Sequence, residues 1–242
     1  MKLKTEEFLD LKEQTFVFSW KTRLYKLSNV VVIFLVTTLF VGCKQNLENQ
    51  SVSALPFYNE SSFTPKWLAE DSKELKEIHT IPNFSLLNQD GNIVTRNTFR
   101  DKIYIADFFF TTCSGICPKM TSNMSVLQET FKDDDDVLLV SHSVTPDIDT
   151  VAILKEYAEN RGIVSNKWHL VTGDRSNIYD LGRNAYFIEE DLGELKTEND
   201  FLHTENFVLI DKNQRIRGIY NGLNKTAIQQ LIKDIKTLKE SF

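Results

Sequence analysis

The chain has 242 residues, with 28 basic and 34 acidic side chains and a formal net charge of −6. Its 41% hydrophobic and 26% charged content is that of an ordinary globular domain. No basic cluster stands ready to neutralise a row of phosphates, which argues against nucleic acid as a partner.

Lys21, Arg23 and Lys26 precede the uncharged run from Val30 to Val41, which ends in Gly42-Cys43. A positive flank, about a dozen apolar residues and a small residue before the break describe a secretory signal, and the run is shorter than the about 20 residues that span a bilayer. A Cys directly after that small residue resembles a bacterial lipobox, which implies cleavage before Cys43 and lipid on its thiol and new N-terminus. An uncleaved short anchor with an unmodified Cys43 is the alternative. Residues 1–42 are therefore expected to be a signal peptide, leaving 22 basic and 30 acidic side chains and a charge of −8. Residues 43–78 read as a polar, lipid-anchored tether. Residues 79–242 read as the folded domain, facing the extracytoplasmic side of a bacterial cell membrane.

Within that domain, Asn88-Gln-Asp-Gly-Asn92 supplies the turn of a first hairpin, since Asp-Gly favours positive φ. Lys102 to Phe110 is a nearly continuous run of β-formers, as expected of a central strand buried on both faces. Met120, Met124, Leu127 and Phe131 recur at helical spacing after Pro118, which suits a first helical turn. That spacing makes both Met side chains core rather than soft ligands. Val137 to Val144 is a second buried strand. Asp149 is placed to cap a helix that runs to Arg161 and stops at Gly162. A strand Trp168–Thr172, a short helix Arg175–Leu181, a hairpin of Phe207–Asp211 and Ile216–Tyr220, and an amphipathic helix Thr226–Leu238 follow. The order predicts an α/β fold with a central mixed sheet flanked by helices, compatible with a thioredoxin-like arrangement.

If Cys43 is lipidated, two thiols remain, Cys113 and Cys117, four residues apart where the central strand runs into a helix. Backbone N–H groups and the helix dipole at such a place favour thiolate, the form that both disulfide exchange and soft-metal binding need. Two thiolates select soft or borderline cations such as Cu(I) or Zn(II), and an added imidazole would suit copper. Asp107 lies in the apolar strand just before the thiols, where a buried carboxylate needs a partner and would tune them. His142 and Asp149 are further candidates to touch the site. For His142 the simpler reading is a packed histidine, and for Asp149 the helix cap. His79 and His169 read as structural or surface residues.

The segment Cys113-Ser-Gly-Ile-Cys117-Pro resembles the C-x-x-x-C-P signature of the Sco/SenC family of copper-binding proteins. Ser143-Val-Thr-Pro-Asp-Ile-Asp149-Thr, Leu170-Val-Thr-Gly173 and the segment Phe201 to Asp211 resemble three further family motifs in the same order. The resemblance runs from about Ile81 to the C-terminus and implies a thioredoxin-like fold. It implies copper, as Cu(I) and also Cu(II), held by Cys113, Cys117 and His203. The protein would then be a copper chaperone rather than a turnover enzyme, delivering to the binuclear centre of cytochrome c oxidase subunit II or to another extracytoplasmic copper protein. Two departures stand out: Ser114-Gly115-Ile116 is neutral where relatives often carry an acidic residue, and Thr145 replaces the usual Asp before Pro146. The alternative function is a thiol–disulfide oxidoreductase working through a Cys113–Cys117 disulfide. None of the five prolines lies just before Phe207, where an exchange enzyme of the thioredoxin type would need one.

Overall fold

β3 (Ile103–Phe109) is buried along its whole length because it lies inside the sheet with a strand on each side. In this computed structural model residues 54–69, 71–189, 200–202 and 204–242 are described. The expected signal over 1–42, the expected lipidation site Cys43 and the expected ligand His203 lie outside the described residues. The remaining strands are β1 (Ser85–Asn88), β2 (Ile93–Thr95), β4 (Val137–Ser143), β5 (Trp168–Thr172), β6 (Asn206–Ile210) and β7 (Ile216–Asn221). They form one mixed sheet in the order β2-β1-β5-β4-β3-β6-β7. β3, β4 and β5 run parallel, and the other pairings are antiparallel.

Parallel neighbours require crossover connections. Here α1 (Cys117–Thr130) joins β3 to β4, and α2 (Val151–Arg161) joins β4 to β5. The short α3 (Arg175–Asp180) follows β5, and α4 (Lys225–Glu240) closes the chain. Side chains alternate across a strand, so β3 feeds two cores. Ile103, Ile105 and Phe109 pack with Met120, Met124 and Leu127 of α1 and with Leu231 and Ile235 of α4. Tyr104, Ala106 and Phe108 face Val94 and Phe99 of the N-terminal hairpin region, together with Ile178 and Tyr186. The sheet with flanking helices and the two hairpins match the architecture expected from the sequence.

Local chemistry explains most boundaries. Gly91 takes φ +76° in the first hairpin turn, where Asn88 Oδ1 also accepts from the N–H groups of Asp90 and Asn92. Gly162 ends α2 in the left-handed conformation, as expected. The cap of α2 differs from expectation: Thr150, not Asp149, accepts from the N–H of Ile153. The carboxylate of Asp149 is engaged elsewhere.

The tether expected over 43–78 gives way by Leu55 to packed chain. Leu55 and Phe57 are buried, Phe57 pairs with Lys66, and Tyr58 bridges to Ile216 on the edge strand β7. Sequence reasoning passed over this segment because its anchors are few and its partner is distant in the chain. Arg217 does the joining. Its guanidinium donates to Leu55 O (2.7 Å), Pro56 O (3.0 Å) and Asp211 Oδ2 (3.2 Å), and it lies over the Phe57 ring at 4.0 Å. Breaking a buried ion pair on one side strands the other charge and costs about 3–5 kcal/mol. Arg217→Ala is therefore expected to lower unfolding stability by about that amount in urea titrations, and to open residues 54–58 to limited proteolysis.

Candidate metal centre

The C-terminal end of β3 leads through Phe110, Thr111 and Thr112 into Cys113, and α1 begins at Cys117 with Pro118 in its first turn. Both cysteines are free thiols, Cys113 half-buried and Cys117 buried. The short loop brings the two thiols within reach of each other, with the Cys117 thiol acting on Cys113 as a hydrogen-bond donor. Burial works against ionising Cys113. The bond from Cys117 Sγ and the N–H groups of Cys117, Gly115 and Ile116 outweigh it and hold this thiol below its ordinary value. Burial pushes Cys117 up to about 12, and its bond to Cys113 adds to the rise. One proton is therefore lost easily and the second is held, and Cys113 is the reactive member.

Asp107 shares the face of β3 that carries Phe109 and packs on α1. It is 2% exposed, and burial raises its carboxyl to about 7 despite a bond from Ser141. Among the described residues its Oδ1 has no hydrogen-bond partner. A charge there raises the Cys117 thiol further, so the expectation that Asp107 tunes the thiols has a physical basis. His142 does not come to the thiols. It pairs with Phe108 across the β3–β4 ladder and therefore points to the opposite side of the sheet from Asp107 and α1. Its ring stacks on Phe108 at 4.6 Å, and burial lowers its pKa to about 4. It is a packed core histidine. His79 Nε2 donates to Ala185 O (2.8 Å) and the ring packs on Phe187, also a structural role.

Asp149 is fully buried and reaches the upstream end of the cysteine loop. It accepts from the N–H of Thr111 (3.2 Å), the Thr111 hydroxyl, Ser143 Oγ (2.6 Å) and Thr145 Oγ1 (3.0 Å). Thr145, the departure from the family motif, supplies one of these donors. The roles of Thr111, Ser143 and Thr145 escaped sequence reasoning. A buried Asp ringed by Ser and Thr on two loops was the available signal, but helix capping offered a simpler use for it.

Among the described residues no three His, Cys, Asp or Glu side chains gather as a cation cage. The dithiol alone supplies two soft donors. The ring of Phe201 meets that of Phe110 edge-on at 5.3 Å, and Leu202 and Thr204 are buried. The chain just before β6 is thus anchored beside the end of β3, close to the residue whose carbonyl accepts from the N–H of Cys113 (3.4 Å).

The SCO1/SenC family model matches residues 72–240. The chain belongs to the SCO1/SenC family. It is 30% identical over 163 residues to a SCO1 protein homolog of Bacillus subtilis, covering 66% of this chain and 82% of that one. A crystal structure of a SCO1/SenC family lipoprotein from Bacillus anthracis is 33% identical with a TM-score of 0.55, covering 66% of this chain and 95% of that chain. BsSco, described as a member of the Sco family of cytochrome c oxidase assembly proteins and as having a disulfide switch, is 30% identical with a TM-score of 0.55 over 66% and 93% of the two chains. ScoI of Bradyrhizobium japonicum, solved with copper bound, is 26% identical with a TM-score of 0.52 over 66% and 99%. These neighbours share the thioredoxin-like fold of this SCO1/SenC chain.

The unequal thiols make a direct prediction. Iodoacetamide should modify Cys113 well before Cys117, with a pH–rate midpoint below that of an ordinary thiol. Cys117→Ala removes a hydrogen bond to the thiolate, so the Cys113 midpoint should move up, as read by peptide mass spectrometry.

The two buried titratable groups pull stability in opposite directions. His142 is accepted only as the neutral ring, so the unfolded chain protonates first. Stability should fall by about 3 kcal/mol as pH drops through the ordinary 6.5 towards 4. Asp107 is accepted as the neutral acid, so stability should fall by about 4 kcal/mol as pH rises from 3.8 through 7. Urea unfolding against pH checks both: His142→Phe should flatten the acid limb, and Asp107→Asn should raise stability above neutral pH.

Proposed function

We propose that the protein is an extracytoplasmic copper chaperone whose cargo is held by the thiolates of Cys113 and Cys117 and the imidazole of His203. The observation that carries this reading is the free, hydrogen-bonded dithiol at the head of α1, one sulfur half-exposed and the other buried. Two thiolates and an imidazole favour Cu(I) and tolerate Cu(II). The copper-bound Bradyrhizobium relative supports copper as the cargo. Anchoring of Phe201 and Leu202 beside the end of β3 supports His203 as the third donor.

Delivery proceeds by ligand exchange, in which donors of the acceptor replace Cys113, His203 and Cys117 in turn. Relatives that assemble cytochrome c oxidase support an acceptor of that kind, the binuclear copper centre of its subunit II, with another exported copper protein as the alternative. The lipoprotein relative supports anchoring of this chain to the cell membrane through lipidated Cys43. Among the described residues no helix is long and apolar enough to cross a membrane.

A second reading rests on the adjacency of the two sulfurs: the pair cycles between dithiol and disulfide and reduces the acceptor's cysteines. The disulfide switch of BsSco supports it. Loss of His203 separates the two. Anaerobic Cu(I) titration of the full-length chain against a chromogenic chelator should give one copper per chain, with His203→Ala weakening binding at least tenfold. If both proteins bind equally, or neither competes with the chelator, His203 is no ligand and dithiol exchange becomes the leading function.

A further inference from the structure

The carboxylate of Asp149 is an expensive group to bury. It has zero exposure, and among the described residues no Lys, Arg or His forms an ion pair with it. A buried charge without a counter-ion survives only if hydrogen bonds replace its water. It is not spent on the helix behind it, because Thr150 caps α2. Its four donor groups lie where β3 and β4 end: two on Thr111, just past β3, one on Ser143, the last residue of β4, and one on Thr145 in the loop after it.

Two of these donors, the N–H and the hydroxyl of Thr111, belong to the residue two before Cys113. The other two, Ser143 and Thr145, flank the end of β4, which is itself tied to β3 by the bond from Val144 N to Phe109 O (2.9 Å). At its downstream end the cysteine loop is fixed by α1, which starts at Cys117. At its upstream end Asp149 is the tie, and beyond Thr112 the loop is held by the bond from Cys113 N to Phe110 O and by the N–H groups of Gly115, Ile116 and Cys117 on the Cys113 sulfur.

We infer that Asp149 is the positioning residue of the dithiol: it clamps the upstream end of the loop so that Cys113 is held against Cys117. A charged acceptor is suited to the task because an amide has one carbonyl oxygen, with two lone pairs, for the four donors that the carboxylate now serves. Holding two reacting sulfurs together raises their effective concentration, and that quantity sets how readily the pair closes to a disulfide. The inference rests on the reading of Cys113 and Cys117 as the working pair, but it does not require copper.

The test is the equilibrium of the full-length chain, in mild detergent and without copper, with a glutathione redox buffer. One glutathione disulfide bond breaks, one Cys113–Cys117 bond forms, and the two electrons and two protons leave in two glutathione thiols. Peptide mass spectrometry follows the Cys113–Cys117 bond separately from Cys43. For Asp149→Asn the constant for disulfide formation should fall at least fivefold. Leu238→Ala, which removes a core side chain of α4 far along the chain from the loop, should lose stability and keep the wild-type constant. If Asp149→Asn stays within twofold of wild type, or if both variants fall together, Asp149 is a structural tie and the inference is overturned. Should Asp149→Asn fail to fold, Thr111→Val decides. It removes one donor, and an unchanged constant would refute the clamp while a fall of at least twofold would support it. A wild-type chain that binds no copper but shows the Asp149 effect defeats the carrier reading alone.

Discussion

Everything at the site depends on β3 being held from all sides. Its backbone is paired to β4 over seven residues and to β6 on the other edge, and no residue of the strand is exposed. A strand so confined cannot shift its register by one residue without turning Ile103, Ile105 and Phe109 out of one core and Tyr104, Ala106 and Phe108 out of the other. The position of the cysteine loop is therefore fixed by apolar packing many residues upstream. Rigid strands of this kind place reactive groups more accurately than loops do.

Against that apolar background the polar residues of the strand ends stand out. Asp107 is the one carboxylate in β3, and it lies on the same face as the helix that begins with Cys117. His142 is one step along the neighbouring strand from Ser141, the residue that bonds Asp107, yet alternation sends it to the other side. A single sheet thus separates two buried titratable groups by little backbone and gives them different neighbours. A charge on Asp107 adds to the rise of the Cys117 thiol. His142, stacked on Phe108 and tilted against Tyr186, belongs to the opposite core.

Much of this was legible in the sequence. Apolar runs, the Asp-Gly turn and the Gly162 stop located the central strands and the α-helices to within a few residues, because each signal is local, whereas the short 3-10 turns Lys73–Lys76 and Arg96–Phe99 left no such signal. The Cys pair at a strand-to-helix junction was legible for the same reason. What escaped were contacts made at long sequence separation. Arg217 binds carbonyls about 160 residues away, so the packing of Leu55 and Phe57 left no periodic trace. The Asp149 carboxylate bonds Thr111, 38 residues upstream, while a local rule offered it the nearer helix end. Hydroxyl donors carry no such signature, since Ser and Thr are common wherever strands turn into loops.

The inequality of the two thiols fits transfer better than storage. A structural metal site closes four donors around the ion and is retained because no donor can leave. Here the loop offers one sulfur that ionises readily and lies half-open to solvent, and one that is buried and slow to give up its proton. Access to such a pair is ordered by exposure, with Cys113 open to an incoming group and Cys117 shielded. The two thiols also act on each other directly, so a two-electron oxidant such as glutathione disulfide can close them to a disulfide. Soft-metal binding and disulfide exchange both draw on thiolate, so a loop that favours one favours the other.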